Sequence, residues 1–434
     1  MHLSTARRAV NDALLSLAQP GPGSETPLAP PSDSSGAQTT AGWTKRIGRN
    51  VLFLGLTSLL TDVSSEMVTA VLPLYLTFVL HFTPLAFGFV DGLYQGTSAL
   101  IRLWGGLIAD RGDRRKEVAA AGYAASALCK LGLWLSGTLW LPTTVVLFVD
   151  RLSKGMRTPP RDALIALSSP RAHVAEAFGV HRAMDTAGAL IGPLLAFAIL
   201  ARAPAAFDAI FMVSFVFAVL GVAALLLFVE NRGGSIDTPA AVTWPSAIAL
   251  LRSADFRALT LGATLLSLCT VSDSFVYLVI QRRVDLAPSL FPLLPVVVAL
   301  AYLILAVPAG RVADGLGRSR ILLLGYGALI AAYVLLAWAN PSRPALLGSL
   351  LLVGGYYAAT DGVLMAMTSR VVPADRLASG MALVTTGTVG ARLLGSIVFG
   401  SAWSWFGPEN AVRLFLFALG AAIAVAAVIL PRGE

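Results

Sequence analysis

Gly106-Leu107-Ile108-Ala109-Asp110-Arg111-Gly112-Asp113-Arg114-Arg115-Lys116 returns 204 positions later as Gly310-Arg311-Val312-Ala313-Asp314-Gly315-Leu316-Gly317-Arg318-Ser319-Arg320, each copy between two long apolar runs. A glycine four residues before an acid lets two helices approach closely. The acid ends the apolar run, and the basic cluster holds the turn at one face of a bilayer. One chain carrying this membrane-edge turn twice predicts a duplicated helical bundle. A second landmark agrees: Asp162-Ala163-Leu164-Ile165-Ala166 is echoed by Asp361-Gly362-Val363-Leu364-Met365-Ala366 at an offset of 199. Repeats of this kind put a solute path between the halves near the membrane midplane.

Composition fixes the class. With 56% hydrophobic and 13% charged residues and a mean hydropathy of +0.75, the chain is predicted to be an integral membrane protein rather than a soluble domain. The net charge of +8 reads as cytoplasmic loop charge and not as a nucleic-acid surface, because the basic residues cluster in alternate short loops. The two cysteines, Cys129 and Cys269, lie inside apolar segments and offer neither a disulfide framework nor a metal site. A phosphate-cradling glycine loop with Lys and Ser/Thr is absent, which disfavours an ATP-driven pump. No enzyme activity, cofactor or metal is predicted.

Apolar runs long enough for a crossing, roughly 20 helical residues, recur twelve times: 48–80, 84–109, 117–138, 141–165, 174–201, 206–230, 255–283, 288–312, 320–339, 343–370, 376–405 and 409–430. Residues 1–44 are rich in Pro, Ser, Gly and Thr and are expected to form a disordered cytoplasmic tail. Residues 45–230 and 255–434 are expected to be two six-helix bundles, joined by a cytoplasmic linker at 231–254. Arg111, Arg114, Arg115, Lys116, Arg161, Arg318 and Arg320 fall on one side and only Arg202, Arg282, Arg283 and Arg343 on the other. That bias predicts both termini in the cytoplasm of a multi-pass protein of a bacterial inner or plasma membrane.

The duplicated turn resembles the loop signature G-x-x-x-D-R/K-x-G-R-R/K of the major facilitator superfamily, and the resemblance covers essentially Val51 to Leu430. Asp113 stands where the family usually has Gly, and the second copy lacks the basic residue after Asp314. The resemblance implies an all-α fold of twelve transmembrane helices in two pseudo-symmetric bundles. Gly106, Asp110, Arg111, Arg114, Arg161, Gly310, Asp314 and Arg318 then belong to a cytoplasmic gate. Gly179, Gly188, Gly192 and Pro193 resemble the fifth-helix element G-x8-G-x3-G-P-x-x-G-G of the family's antiporters, with Ala196-Phe197 in place of the closing glycines. Arg151-Leu152-Ser153-Lys154-Gly155 resembles its R-x-x-x-G element, often linked to proton transfer.

Charges inside apolar helices are candidate functional groups. Asp62 and Glu66 lie one turn apart on the first span and share a face with Ser58, Ser65 and Thr69. Lipid does not tolerate such a stripe, so it is expected to line the water-filled cavity and to hold a titratable proton, with Glu66 first and Asp62 second. Asp150, Arg151, His181 and Asp185 complete the expected proton-coupling set. Arg157 and Arg161 are expected to snorkel or to pair with Asp110, and Lys130 to be structural or snorkelling. Arg102, Tyr277, Asp361 and Arg392 are expected to add substrate contacts, with Arg392 either binding an anion or bridging to Asp273 or Asp361.

The expected function is export of a small organic molecule or drug in exchange for protons, by alternating access of a monomer in a lipid bilayer. The rivals are a proton-coupled importer, an organic-anion transporter, and a sensor or assembly partner without transport.

Overall fold

The computed structural model describes residues 48–110, 114–170, 173–231, 248–337, 342–373 and 376–430. Among them the secondary structure is helical throughout. The N-terminal half contains α1 (Arg49–Leu74, continued by a wider π turn at Tyr75–Val79), α2 (Pro84–Asp110), α3 (Arg115–Ser136), α4 (Trp140–Leu167), α5 (Val174–Arg202) and α6 (Phe207–Phe228). The C-terminal half contains α7 (Ala254–Leu268), α8 (Asp273–Val284), α9 (Leu293–Leu316), α10 (Arg318–Ala337), α11 (Arg343–Val371) and α12 (Leu377–Ile429).

Two elements depart from one helix per crossing. The expected seventh span, 255–283, is two helices, because the chain leaves helical geometry between Leu268 and Asp273. The amide of Val271 is taken up by the Tyr333 hydroxyl at 2.6 Å, and Ser272 caps α8 by accepting from the Phe275 amide. A non-helical backbone persists at this depth only because buried protein groups satisfy it. Conversely, α12 runs for 53 residues and holds two crossings divided at Gly407, where φ is +82° and Pro408 follows. Only glycine takes that backbone without strain, and the break falls between the spans expected at 376–405 and 409–430.

Among the described residues, nine segments are long and apolar enough to cross a bilayer, and Ser379–Ile429 is long enough for two crossings. Pro84–Asp110 and Trp140–Leu167 have 27 and 28 residues, the length of a crossing, and the second is set apart by its charges. The twelve-crossing architecture is thus present among the described residues.

Within the N-terminal half, α1 packs against α5 and α6, and α4 against α2 and α3; in the C-terminal half, α11 packs against α9 and α10, and α12 against α7. The halves meet chiefly along α2 and α12. Near the start of α2, the Leu85 amide donates to the Ser404 hydroxyl at 3.1 Å. Phe275 lies 4.9 Å from Phe87 and 4.8 Å from Phe399, ring centroid to ring centroid, and 5.6 Å from Trp403. This aromatic cluster seals one end of the bundle. At the opposite end Arg182 is 82% exposed, and Gly310, Asp314, Arg318 and Gly362 line a cleft.

Candidate functional site

Asp150 on α4 anchors the most tightly bound charges. One of its oxygens accepts from the Lys130 ammonium at 2.6 Å and from the Ser126 hydroxyl at 2.6 Å; the other accepts from the Arg151 guanidinium at 3.0 Å. Lys130 is 1% exposed, so its ammonium is held inside the protein and does not snorkel. Charges this deep cost at least about 3 kcal/mol each on insertion scales unless they are paired, and here each meets an opposite charge. Asp150, expected among the proton-coupling groups, anchors two cations.

From this anchor Arg151 reaches the space between the halves. Its guanidinium lies 3.8 Å from the centroid of Tyr94, and the Tyr94 hydroxyl shares a hydrogen bond with Thr69 at 2.9 Å. The cavity has a volume of about 400 Å³, within the range of small-molecule sites. Glu66, Thr69, Tyr94, Arg151 and Lys154 line it from the N-terminal half, and Asp273, Ser274 and Tyr277 from the C-terminal half, with Asp91 of α2 near the seam. Lys154 stands 3.9 Å from Glu66. Asp273 accepts from the Tyr357 hydroxyl at 2.9 Å, and Asp91 from the Ser396 hydroxyl at 2.8 Å.

A second polar layer lies outside the cavity lining. His181 shares a 2.9 Å hydrogen bond with Ser58 and stands 3.5 Å from Asp185. Arg161 pairs with Asp162 at 2.8 Å, donates to Ser58 at 3.1 Å and stands 4.0 Å from Asp185. The Asp185 carboxyl is within hydrogen-bonding reach of Asp62. Its Oδ1 is buried without a hydrogen-bond partner. Asp62 and Glu66, placed on one face by the sequence, each also meet a group from a neighbouring helix: Asp185 of α5 for Asp62, and Lys154 of α4, 3.9 Å away, for Glu66. Side chains of consecutive helical turns face different neighbours as the helices cross.

The glycines explain why α1 and α5 come so close. A Cβ on Gly188 would stand 2.7 Å from the Leu59 carbonyl oxygen, and one on Gly192 2.7 Å from that of Val63; both also approach the Cβ atoms of Asp62 and Glu66. Gly179 has open space and takes no part in this packing. Pro193 lines the cavity.

Several expected positions move. Ser58 and Ser65 are 1% and 2% exposed and sit between helices rather than at the cavity lining, whereas Thr69, Glu66 and Tyr277 reach it. Asp361 is exposed and Arg392 donates to the Tyr356 hydroxyl at 3.0 Å, so neither lines this cavity. Arg392 has no carboxylate within 4 Å among the described residues, and the expected bridges to Asp273 and Asp361 are not formed. Arg161, expected at the cytoplasmic gate, joins the second polar layer. Arg157 does not snorkel: it is 3% exposed, its guanidinium 4.4 Å from the centroid of Tyr123. Beyond their helical backbone, Arg102, Gly106 and Asp110 lie outside the described residues, as does the whole of Arg111; Arg114 is exposed. In the second turn, Arg318 pairs with Asp314 at 2.9 Å and donates to the Ala366 carbonyl at 3.0 Å. Gly310, Asp314 and Arg318 line a cleft with Gly362 and Ala366.

Lys154, Tyr94 and Asp273, each noted in the sequence as a charged or aromatic residue inside a span, line the cavity, and they are joined by Asp91, which the sequence reading did not single out. A lone acid near the start of α2 reads as a helix-end residue. The available signal is that Asp91 follows seven residues of apolar helix, Pro84-Leu85-Ala86-Phe87-Gly88-Phe89-Val90, and so lies about 10 Å beyond the helix start at 1.5 Å per residue.

The fold agrees with comparisons to known proteins. An uncharacterised MFS-type transporter of Methanocaldococcus jannaschii is 30% identical over 373 residues, covering 84% of this chain and 91% of that one. Among solved structures, a variant of the nucleoside transporter NupG aligns with a TM-score of 0.75 at 15% identity, over 88% of this chain and 100% of that one. A POT family transporter aligns with a TM-score of 0.72 at 15% identity, over 88% and 97%. The family model of the Major Facilitator Superfamily matches residues 54–282 and 259–434. This chain, a multi-pass membrane transporter, belongs to the major facilitator superfamily.

Proposed function

We propose that the chain is a proton-coupled secondary transporter that exports a small organic molecule by alternating access, and that Asp62 and Asp185 hold the coupled proton between them. The observation that carries this reading is the Asp185 Oδ1 atom, buried without a donor beside the Asp62 carboxyl. An unsatisfied buried acceptor is costly, and a proton shared by the two carboxyls supplies the missing hydrogen bond. When that proton leaves, Arg161 and His181, already 4.0 and 3.5 Å from Asp185, are placed to take up the negative charge. The exchange alters contacts among α1, α4 and α5 at once, which gives the proton different affinities for the two states of the transporter.

Export is supported by the resemblance of Gly188, Gly192 and Pro193 to the antiporter element, and by the close contact those glycines make with the helix that bears Asp62 and Glu66. The open end of the bundle carries the basic turns, so the positive-inside bias assigns it to the cytoplasm, with both termini on that side. A cytoplasmic solute then reaches the cavity past Asp62 and Asp185, while the aromatic cluster around Phe275 closes the far side.

Everted membrane vesicles with an acidified interior test this. Compounds drawn from a panel of small organic solutes should collapse the pH gradient with the wild-type chain and fail to do so with Asp62→Asn or Asp185→Asn. Full gradient collapse in both variants, or none in the wild type with any compound, overturns the reading.

A further inference from the structure

The two sides of the central cavity differ in charge balance. Around α4, three cations have two carboxylates within 4 Å: Lys130 and Arg151 share Asp150, and Lys154 stands 3.9 Å from Glu66. Within that contact distance one positive charge is in surplus. Its accessible edge is Arg151, which is 7% exposed, lines the cavity, and has a buried Nε without a hydrogen-bond partner.

Around α8 the balance is reversed. Asp273 accepts from Tyr357, and Asp91 from Ser396 with Ser272 and Ser274 in reach; all of these are neutral hydroxyls. Among the described residues no cation lies within 4 Å of either carboxylate. Arg392 is directed to the Tyr356 hydroxyl and lies 5.7 Å from the centroid of Tyr357. The N-terminus of α8 adds about half a positive charge, which does not offset two carboxylates. Between the two sides stand the apolar and aromatic residues Leu72, Phe87, Tyr94 and Tyr277.

We infer that the cavity selects a zwitterion with an apolar body. The anionic group of the solute lies against Arg151 and Lys154, its ammonium group lies against Asp273 and Asp91, and its body lies against the aromatic residues. A singly charged solute satisfies one side and leaves the other uncompensated, whereas a zwitterion neutralises both. This assignment rests on the reading of the cavity as the transported solute's site, but it concerns recognition and not proton coupling.

Matched probes test it on the purified full-length protein at constant pH, without a gradient. For L-phenylalanine, 6-aminohexanoate and L-phenylalanyl-L-alanine, each free zwitterion is compared with its N-acetyl derivative, which is an anion, and its C-terminal amide, which is a cation. Binding is read from ligand-dependent thermal stability. In at least one triplet the zwitterion should bind at least tenfold more tightly than both capped forms. Asp273→Asn should erase the preference over the N-acetyl anion, and Lys154→Gln should reduce the preference over the amide. Each variant is first checked for a monodisperse elution profile, and Asp91→Asn replaces Asp273→Asn if the latter does not fold. Equal binding of capped and free forms, preference for the anion or the cation, or binding of no probe overturns the assignment. Zwitterion selectivity without proton-linked flux leaves this inference standing while the coupling reading fails; proton-linked flux of solutes without such selectivity does the reverse.

Discussion

Ser396 on α12 donates its hydroxyl to Asp91 on α2 at 2.8 Å, across the seam where the two halves meet. Both residues are buried, at 1% and 5% exposure. Around them the helices run nearly backbone to backbone, because Gly88 meets the Ser396 carbonyl and Gly400 that of Pro84. Adding a methyl group at Gly400, or removing the hydroxyl of Ser396, should therefore spread the sealed end. In a Ser274→Cys background, labelling by a membrane-impermeant thiol reagent from that end should rise several-fold with Gly400→Ala or Ser396→Ala. The native Cys129 and Cys269 are buried and give a low background. Unchanged labelling in both variants contradicts a seam held by this contact.

Asp150 neutralises two cations, so its loss is costly. Asp150→Asn leaves Lys130 and Arg151 buried and uncompensated, and breaking a buried pair this way costs about 3–5 kcal/mol. Thermal unfolding in detergent should show a large loss of stability. Adding Lys130→Met should recover part of it, since the double change removes one of the stranded charges.

The glycines of α5 should not behave alike. Gly192→Ala and Gly188→Ala force a methyl group against the α1 backbone, and overpacking of this kind typically costs about 1–3 kcal/mol. Gly179→Ala meets open space and should leave the melting temperature within error. A comparison of the three melting curves checks this directly.

The second copy of the duplicated turn calls for a different readout. The Asp314–Arg318 pair is solvent-facing, with Asp314 67% exposed, and such pairs contribute at most about 1 kcal/mol. Arg318 also ties the turn to α11 through the Ala366 carbonyl. Arg318→Ala should leave stability nearly intact while slowing exchange between the two access states, seen as a lower rate of labelling at a cavity cysteine. A marked fall in melting temperature would instead assign Arg318 a structural role.

Much of the fold was legible because apolar run length and turn punctuation report directly on the bilayer. The Gly407-Pro408 division is an example: glycine and proline mark it in the sequence. The interruption between Leu268 and Asp273 carries no such mark, since Cys269-Thr270-Val271-Ser272 is ordinary apolar-helix material and the break depends on Tyr333, 62 residues away. The candidate site was legible to the same degree. Residue types and depth singled out Asp62, Glu66, Arg151, His181 and Asp185, but their partners follow from helix crossings. Asp62 meets Asp185 only because Gly188 and Gly192 remove the side chains that would keep α1 and α5 apart. Asp91 shows the remaining gap: one acid in one helix acquires meaning only when Ser272, Ser274 and Ser396 arrive from the other half.

The divided seventh crossing makes that element a jointed lever in a molecule built mainly of rods. Its joint sits at the depth of the cavity, and Asp273, the first residue beyond it, is also a cavity residue. Force applied at Asp273 would therefore turn the short arm α8, which carries Phe275 of the aromatic cluster, without bending α7. The cavity wall and the aromatic cluster are linked by one twelve-residue arm, whose joint is held by the Tyr333 hydroxyl and the Ser272 cap together.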